Sequence, residues 1–131
     1  MDRDDCLAIH EMMLAQHGGL PGLRDEGLLA SALAKPRHRY AYTSTSLPAL
    51  AASYAAGVIL DHPFLDGNKP TGFMLAATFL ATNGIELTAA EESVVQQTIA
   101  LASGAIKEAE YASWLKQNVR RFRPETSPRR R

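Results

Sequence analysis

Residues 47–60 read Leu-Pro-Ala-Leu-Ala-Ala-Ser-Tyr-Ala-Ala-Gly-Val-Ile-Leu and are apolar on almost every side of a helix. A helix without a polar face has to be surrounded by other elements. No apolar run reaches the roughly 18 residues of a membrane span, so the cover must come from protein. A second largely apolar helix is expected from about Pro70 to Asn83, with Gly84 at its C-cap. The two are joined by the polar loop His62-Pro-Phe-Leu-Asp-Gly-Asn-Lys69. This pairing points to a compact all-α bundle with two buried helices at its centre.

The rest of the chain supplies the cover, and its apolar period is helical nearly throughout. Residues 4–16 place Leu7, Ile9, His10, Met13 and Leu14 at three- and four-residue spacings, and Gly18 and Gly19 stop that helix before a turn at Leu20-Pro-Gly22. Asp25 is a good N-cap for a second helix through Ala34, with Leu28, Leu29, Ala32 and Leu33 facing inward. Pro36 is expected to end it. Residues 36–46 are polar and aromatic without a helical period and read as a loop or short hairpin. Ser46 and Pro48 open the third helix, which runs to about Asp61. Thr88 and Glu91 suit a capping box for a fifth. A sixth is expected over Lys107 to Arg121, with Tyr111, Trp114, Leu115 and Val119 on one face. About six helices result, in one domain over residues 1–123.

The 131 residues fit one domain, and 46% apolar with 21% charged residues is an ordinary globular composition. Fourteen basic residues balance fourteen acidic ones, which argues against direct nucleic-acid or membrane binding. The charge is unevenly distributed, however. Arg120, Arg121, Arg123, Arg129, Arg130 and Arg131 crowd the C-terminus. Pro124, Ser127 and Pro128 favour a solvated, disordered tail over 124–131 rather than an arm for an acidic partner. The single cysteine, Cys6, excludes an intramolecular disulfide and fits as a small hydrophobe on the first helix. The N-terminus has no secretory pattern, so a cytoplasmic location is expected. His10 falls on the core face of its helix, and His17 sits at a helix end where the dipole favours a cation.

The polar loop concentrates chemistry where the chain is otherwise apolar. Asp66, Gly67, Asn68 and Lys69 lead directly into a helix, whose first N–H groups and dipole suit a phosphate. Gly67 lets a ligand approach the backbone. Lys69 can neutralise phosphate charge, and Asn68 can donate a hydrogen bond or hold the loop's shape. Asp66 can carry Mg²⁺, which binds through one or two carboxylates plus substrate phosphates. His62 can take a proton from an attacking hydroxyl near neutral pH. Phe64 would anchor the loop in the core. Phosphoryl or nucleotidyl transfer fits this set. A plain capped turn between two helices fits it too, and the residues alone leave both open.

His62-Pro-Phe-Leu-Asp-Gly-Asn-Lys69 resembles the signature of the Fic/Doc family, His-x-Phe-x-(Asp/Glu)-x-Asn-(Gly/Lys)-Arg. Lys69 is similar to the Doc branch, the "death on curing" toxins of toxin–antitoxin modules; the Fic branch has Gly there. A second block agrees: His10, then Gly18-Gly-Leu-Pro-Gly-Leu-Arg-Asp25, then Leu29-Ala-Ser-Ala-Leu33. Tyr42, Tyr54 and the Asn83-Gly84 helix end match as well. Phe73 replaces the second Arg of the Fic branch, as the Doc branch does.

The resemblance implies the Fic/Doc fold and a set of roles. His62 is the catalytic base, Phe64 the buried anchor and Asp66 the Mg²⁺ ligand. Gly67, Asn68 and Lys69 bind the phosphates of ATP. Residues 36–47 are similar to the flap that aligns the target chain by strand addition, with Arg37, His38, Arg39 and Tyr40 as candidate contacts to target or nucleotide. The implied activity is transfer of the terminal phosphate of ATP to a threonine hydroxyl of a translation factor such as elongation factor Tu, which halts translation. A Fic-type adenylyltransferase and an inactive binding module of the same fold are the alternatives. The implied partner is an antitoxin whose disordered C-terminal segment folds across the toxin.

Pro70 departs from the pattern, which has Arg after Lys69. Proline cannot replace the planar fork of an arginine on phosphate. Losing such a contact in the transition state costs roughly 2–4 kcal/mol, or about 30- to 1000-fold in rate. Proline is comfortable in a first helical turn, so the fold should survive. Either Lys69 with Arg37 or Arg39 compensates, or Pro70 is a detoxifying change.

Overall fold

The computed structural model describes residues 1–42 and 46–122, with the side chains of residues 41 and 42 left aside. Residues 43–45 of the expected flap and the basic tail fall outside the described residues. Six helices follow in order: α1 (Arg3–His17), α2 (Glu26–Tyr42), α3 (Leu47–Asp61), α4 (Asn68–Thr82), α5 (Glu91–Ser103) and α6 (Glu108–Gln117). The fold is all-α in its mass, with one small sheet of two strands, β1 (Ile85–Leu87) and β2 (Val119–Arg121). None of the described helices is long and apolar enough to cross a membrane.

Helix α3 is the axis. Every residue from Leu50 to Ile59 is buried, and the helix packs against α2, α4, α5 and α6. Its ends follow the sequence: the Ser46 hydroxyl accepts from the Ala49 N–H at 3.3 Å, with Pro48 in the first turn. Two clusters form around it. One gathers Ala52, Ala56, Leu80, Leu101, Tyr111 and Leu115, and the other Cys6, Met13, Leu29, Tyr54, Phe64 and Leu75. Small residues let the central helices come close. A Cβ at Gly72 would stand 2.6 Å from Ile59 Cγ1 and 2.9 Å from the Ala55 carbonyl oxygen. At Gly57 it would stand 2.9 Å from Ala32 Cβ.

Four local expectations need correction. Helix α2 does not stop at Pro36 but continues to Tyr42, so residues 36–42 are helix and not a loop or hairpin. Interior proline costs about 3 kcal/mol, and tertiary contacts offset it here. Pro36 is fully buried, Arg37 Nη2 donates to the Met1 carbonyl at 2.8 Å, and Arg39 pairs with Glu108 at 2.9 Å. The last helix ends at Gln117 rather than Arg121, because residues 119–121 pair antiparallel with 85–87, Ile85 opposite Arg121 and Leu87 opposite Val119. A cross-strand bond from Arg120 to Glu86, at 2.8 Å, locks the register. Helix α5 begins after Ala90 without a side-chain cap, so the capping box of Thr88 and Glu91 does not form; the Thr88 N–H that Glu91 would accept donates to the Asn118 carbonyl instead. Helix α4 begins two residues earlier than expected, at Asn68, and ends at Thr82 with Asn83 as its C-cap and Gly84 just beyond.

Burial pushes the Cys6 thiol up from 9.0 to about 12, with a smaller push from Asp5. Burial likewise pushes the Tyr111 hydroxyl from 10.0 to about 12, and the neighbouring Thr98 hydroxyl offsets this only in part. In both cases the unfolded chain ionises first as pH rises. The share of stability that depends on keeping these two groups neutral is therefore full below pH 9.0 and is lost between 9.0 and about 12. Urea midpoints measured across that range should fall, and Cys6→Ala should flatten the first part of the fall. Gly72→Ala gains helix propensity but drives a methyl into Ile59 and the Ala55 carbonyl. A net loss of about 1–3 kcal/mol is expected in the same measurement.

Candidate functional site

Helix α3 ends at His62, which closes it in the left-handed conformation, φ 53°. That conformation costs a non-glycine residue about 1–2 kcal/mol. His62 is the only non-glycine residue with positive φ among those described. The turn is held from outside. Arg24 Nε donates to the His62 carbonyl at 2.7 Å and Nη2 to the Asp61 carbonyl at 2.9 Å. The Arg24 and Asp25 N–H groups both donate to the Pro63 carbonyl, at 2.7 and 3.1 Å. Leu65 N–H donates to Gly22, and Leu23 bridges Phe64 in antiparallel fashion. The segment between α1 and α2 thus lies alongside the loop.

Phe64 is buried and pins the loop to the core. Its backbone is satisfied by one side chain: Asn68 Oδ1 accepts from Phe64 N–H, and Asn68 Nδ2 donates to the Phe64 carbonyl, each at 3.0 Å. The second N–H of that amide faces His62 Nδ1 at 3.4 Å. This contact is long and holds the imidazole only weakly. On its other side the Phe64 ring stacks on His10, centroids 3.7 Å apart and planes within 7°. His10 Nε2 donates to the Asp66 carbonyl at 2.9 Å, so its proton sits on Nε2.

Gly67 then enters α4 with φ 77° and no side-chain cap. The free N–H groups of the first turn therefore have no helical acceptor. A Cβ at Gly67 would press on Leu14 Cδ2 at 3.2 Å, so both shape and backbone angle require glycine. The exposed Asp66 carboxylate takes one backbone N–H on each oxygen, Gly67 at 3.0 Å and Leu20 at 3.3 Å. Gly19 backs it so closely that a Cβ there would lie 2.9 Å from Oδ2. Asp66 keeps outward lone pairs, and no group of three or more His, Cys, Asp or Glu that could hold a metal occurs among the described residues. A single oriented carboxylate fits Mg²⁺ shared with substrate phosphates and not a closed protein cage.

His62, Asp66, Gly67, Asn68, Lys69 and Pro70 line one cleft of about 620 Å³, together with His17, Gly18, Gly19 and Leu65. A second cleft of about 650 Å³ adjoins it through His17, Lys69 and Pro70. This one is apolar, walled by Met13, Phe73, Met74, Val94, Val95 and Ile99 from α1, α4 and α5. Residue 70 borders both. The other expected contacts are elsewhere. Arg37 and Tyr40 line a hollow with Tyr54 and Phe79, and His38 and Arg39 line another with Lys35 and Glu108. Neither arginine lines the motif cleft, so the expected compensation for Pro70 by Arg37 or Arg39 is not what the fold arranges.

The spacing of the loop motif does not mark His10, Gly19 and Arg24 as parts of the site. Their only signal was membership of the N-terminal block that accompanies the loop motif; His10 was legible as a buried histidine, not as the partner of Asp66.

The domain is helical and presents an exposed histidine and an uncapped helix N-terminus to one cleft. The chain belongs to the Fic/DOC family, whose profile matches residues 1–80. Its similarity to Protein kinase doc of Escherichia phage P1 is 30% identity over 115 residues, covering 87% of this chain and 90% of the relative. Its similarity to Toxin Doc of Mycolicibacterium smegmatis (strain ATCC 700084 / mc(2)155) is 36% identity over 92 residues, 68% of each. These relatives place it with the Doc-type toxins of that family.

Asn68→Ala removes both partners of the buried Phe64 backbone. A loss of about 2–4 kcal/mol is expected from two orphaned groups, read as a lower urea midpoint. His62→Ala, which removes an exposed ring, should change that midpoint by less than about 1 kcal/mol.

Proposed function

We propose that this protein transfers the terminal phosphate of ATP to a hydroxyl of a target protein. One observation carries the reading: the exposed imidazole of His62, the Asp66 carboxylate, Lys69 and the uncapped start of α4 meet in a single cleft. The phage P1 relative, named a protein kinase, supports phosphate transfer.

The β- and γ-phosphates would lie on the N–H groups at the start of α4, with Lys69 offsetting their charge. Asp66 would hold Mg²⁺, which when bound neutralises phosphate charge. The target hydroxyl attacks the γ-phosphorus while His62 takes its proton. The bond from the γ-phosphorus to the bridging oxygen breaks, and ADP leaves. A threonine of elongation factor Tu is the target that the family resemblance implies. The antitoxin would lay an apolar segment in the cleft between α1, α4 and α5, beside the phosphates. Val95 and Ile99 there are each about half exposed, which supports an apolar occupant.

Pro70 supports a second reading, an inactive copy that keeps the fold. Residue 70 borders both clefts, so an arginine there would reach the phosphates. Purified elongation factor Tu, with ATP labelled at either the α- or the γ-phosphate, tests both readings. Label from the γ-phosphate is expected, abolished by His62→Ala and raised about 30- to 1000-fold by Pro70→Arg. Label from the α-phosphate would replace phosphate transfer with adenylyl transfer. No transfer by the Pro70→Arg protein to this or other bacterial proteins would leave the inactive module.

A further inference from the structure

We infer that Arg24 is a positioning residue for His62, a role that rests on reading His62 as the proton acceptor. Three successive carbonyls at the end of α3 are held by one short stretch of chain. The Arg24 guanidinium takes those of Asp61 and His62, at 2.9 and 2.7 Å, and the Arg24 and Asp25 N–H groups share that of Pro63. These are the carbonyls that orient the turn as it passes through the left-handed conformation at His62. The imidazole itself is exposed, and the contact described for it is the long one from Asn68 Nδ2, at 3.4 Å. The direction of the ring is therefore set mainly by the backbone beneath it, and Arg24 sets the backbone.

The chemistry requires arginine. Two carbonyls one residue apart are reached together by the Nε and Nη2 hydrogens of a planar fork, whereas an ammonium acts as a point charge. A cation at the end of α3 also suits the helix dipole. Arg24 does not line the motif cleft. Its loss should therefore disturb proton transfer and leave nucleotide binding alone.

The test uses the full chain with Arg24→Gln and Arg24→Lys. Two readouts are taken: the imidazole resonances, assigned by comparison with His62→Ala, and the steady-state constants for transfer from ATP in the Pro70→Arg background. Arg24→Gln should shift the His62 resonances and leave those of His17 in place. It should lower kcat about 10- to 100-fold with KM for ATP within about twofold. Arg24→Lys, which keeps the charge and loses the fork, should recover only part of kcat. If Arg24→Gln fails to fold, Arg24→Lys decides by the same readouts. Unmoved His62 resonances, or a change in KM matching that in kcat, would overturn the inference. If the parent protein transfers nothing while the His62 resonances still move, Arg24 positions His62 and it is the transfer reading that fails.

Discussion

Asn68 sits at the first residue of α4, yet its side chain serves the loop that precedes the helix. Its carboxamide offers one acceptor and one donor in a plane, which is what a neighbouring strand would offer to the backbone of Phe64. Phe64 is 1% exposed, so without Asn68 both of its backbone groups would be buried and unpaired. Because the amide's acceptor is fixed on Phe64 N–H, the remaining N–H can only turn toward His62. One side chain therefore sets the loop's shape and the environment of the histidine at the end of α3. Aspartate would keep the acceptor and lose the donor, and alanine would lose both.

The loop is clamped on its other faces by groups distant in the sequence. His10 reaches Asp66 and stacks on Phe64, and Arg24 and Leu23 hold the chain from Asp61 to Phe64. These clamps belong to the segment from α1 to the start of α2, and they act on the junction of α3 and α4. The close approach of α3 and α4 at Gly72 fixes that junction from within. A polar loop between two buried helices is in this way held more rigidly than its exposure suggests. Rigid support is what a site working mainly by positioning needs.

The helical period made α1, α3 and α4 legible in the sequence, as did the capping signals at Asp25 and Ser46. What was not legible depends on contacts the local pattern does not contain. Pro36 reads as a stop because its cost is local, while the hydrogen bond and the ion pair that help carry α2 to Tyr42 involve the Met1 carbonyl and Glu108. The strand at Val119 was hidden for a similar reason. Val119 continues the apolar face of α6, and only pairing with Ile85–Leu87 turns it into strand. At the site, the loop motif named the residues that face the cleft. It could not name His10 or Arg24, whose roles are bonds to carbonyls and leave no trace in the identity of their partners.

Pro70 separates the two demands on this region. The fold asks little of residue 70: it lies in the first turn of α4, where proline's missing N–H has no helical partner to lose. The site asks more, because the same residue lies where the motif cleft opens into the apolar one. Every clamp on the loop uses other residues, Asn68, His10, Arg24 and Gly19 among them, and none of them depends on the side chain at 70. On the proposed phosphate-transfer reading, a change from arginine to proline would therefore remove a phosphate contact while leaving the geometry of His62, Asp66 and Lys69 in place. On that reading the side chains that hold the loop are not the one that would grip phosphate at position 70, so an intact loop is no measure of activity.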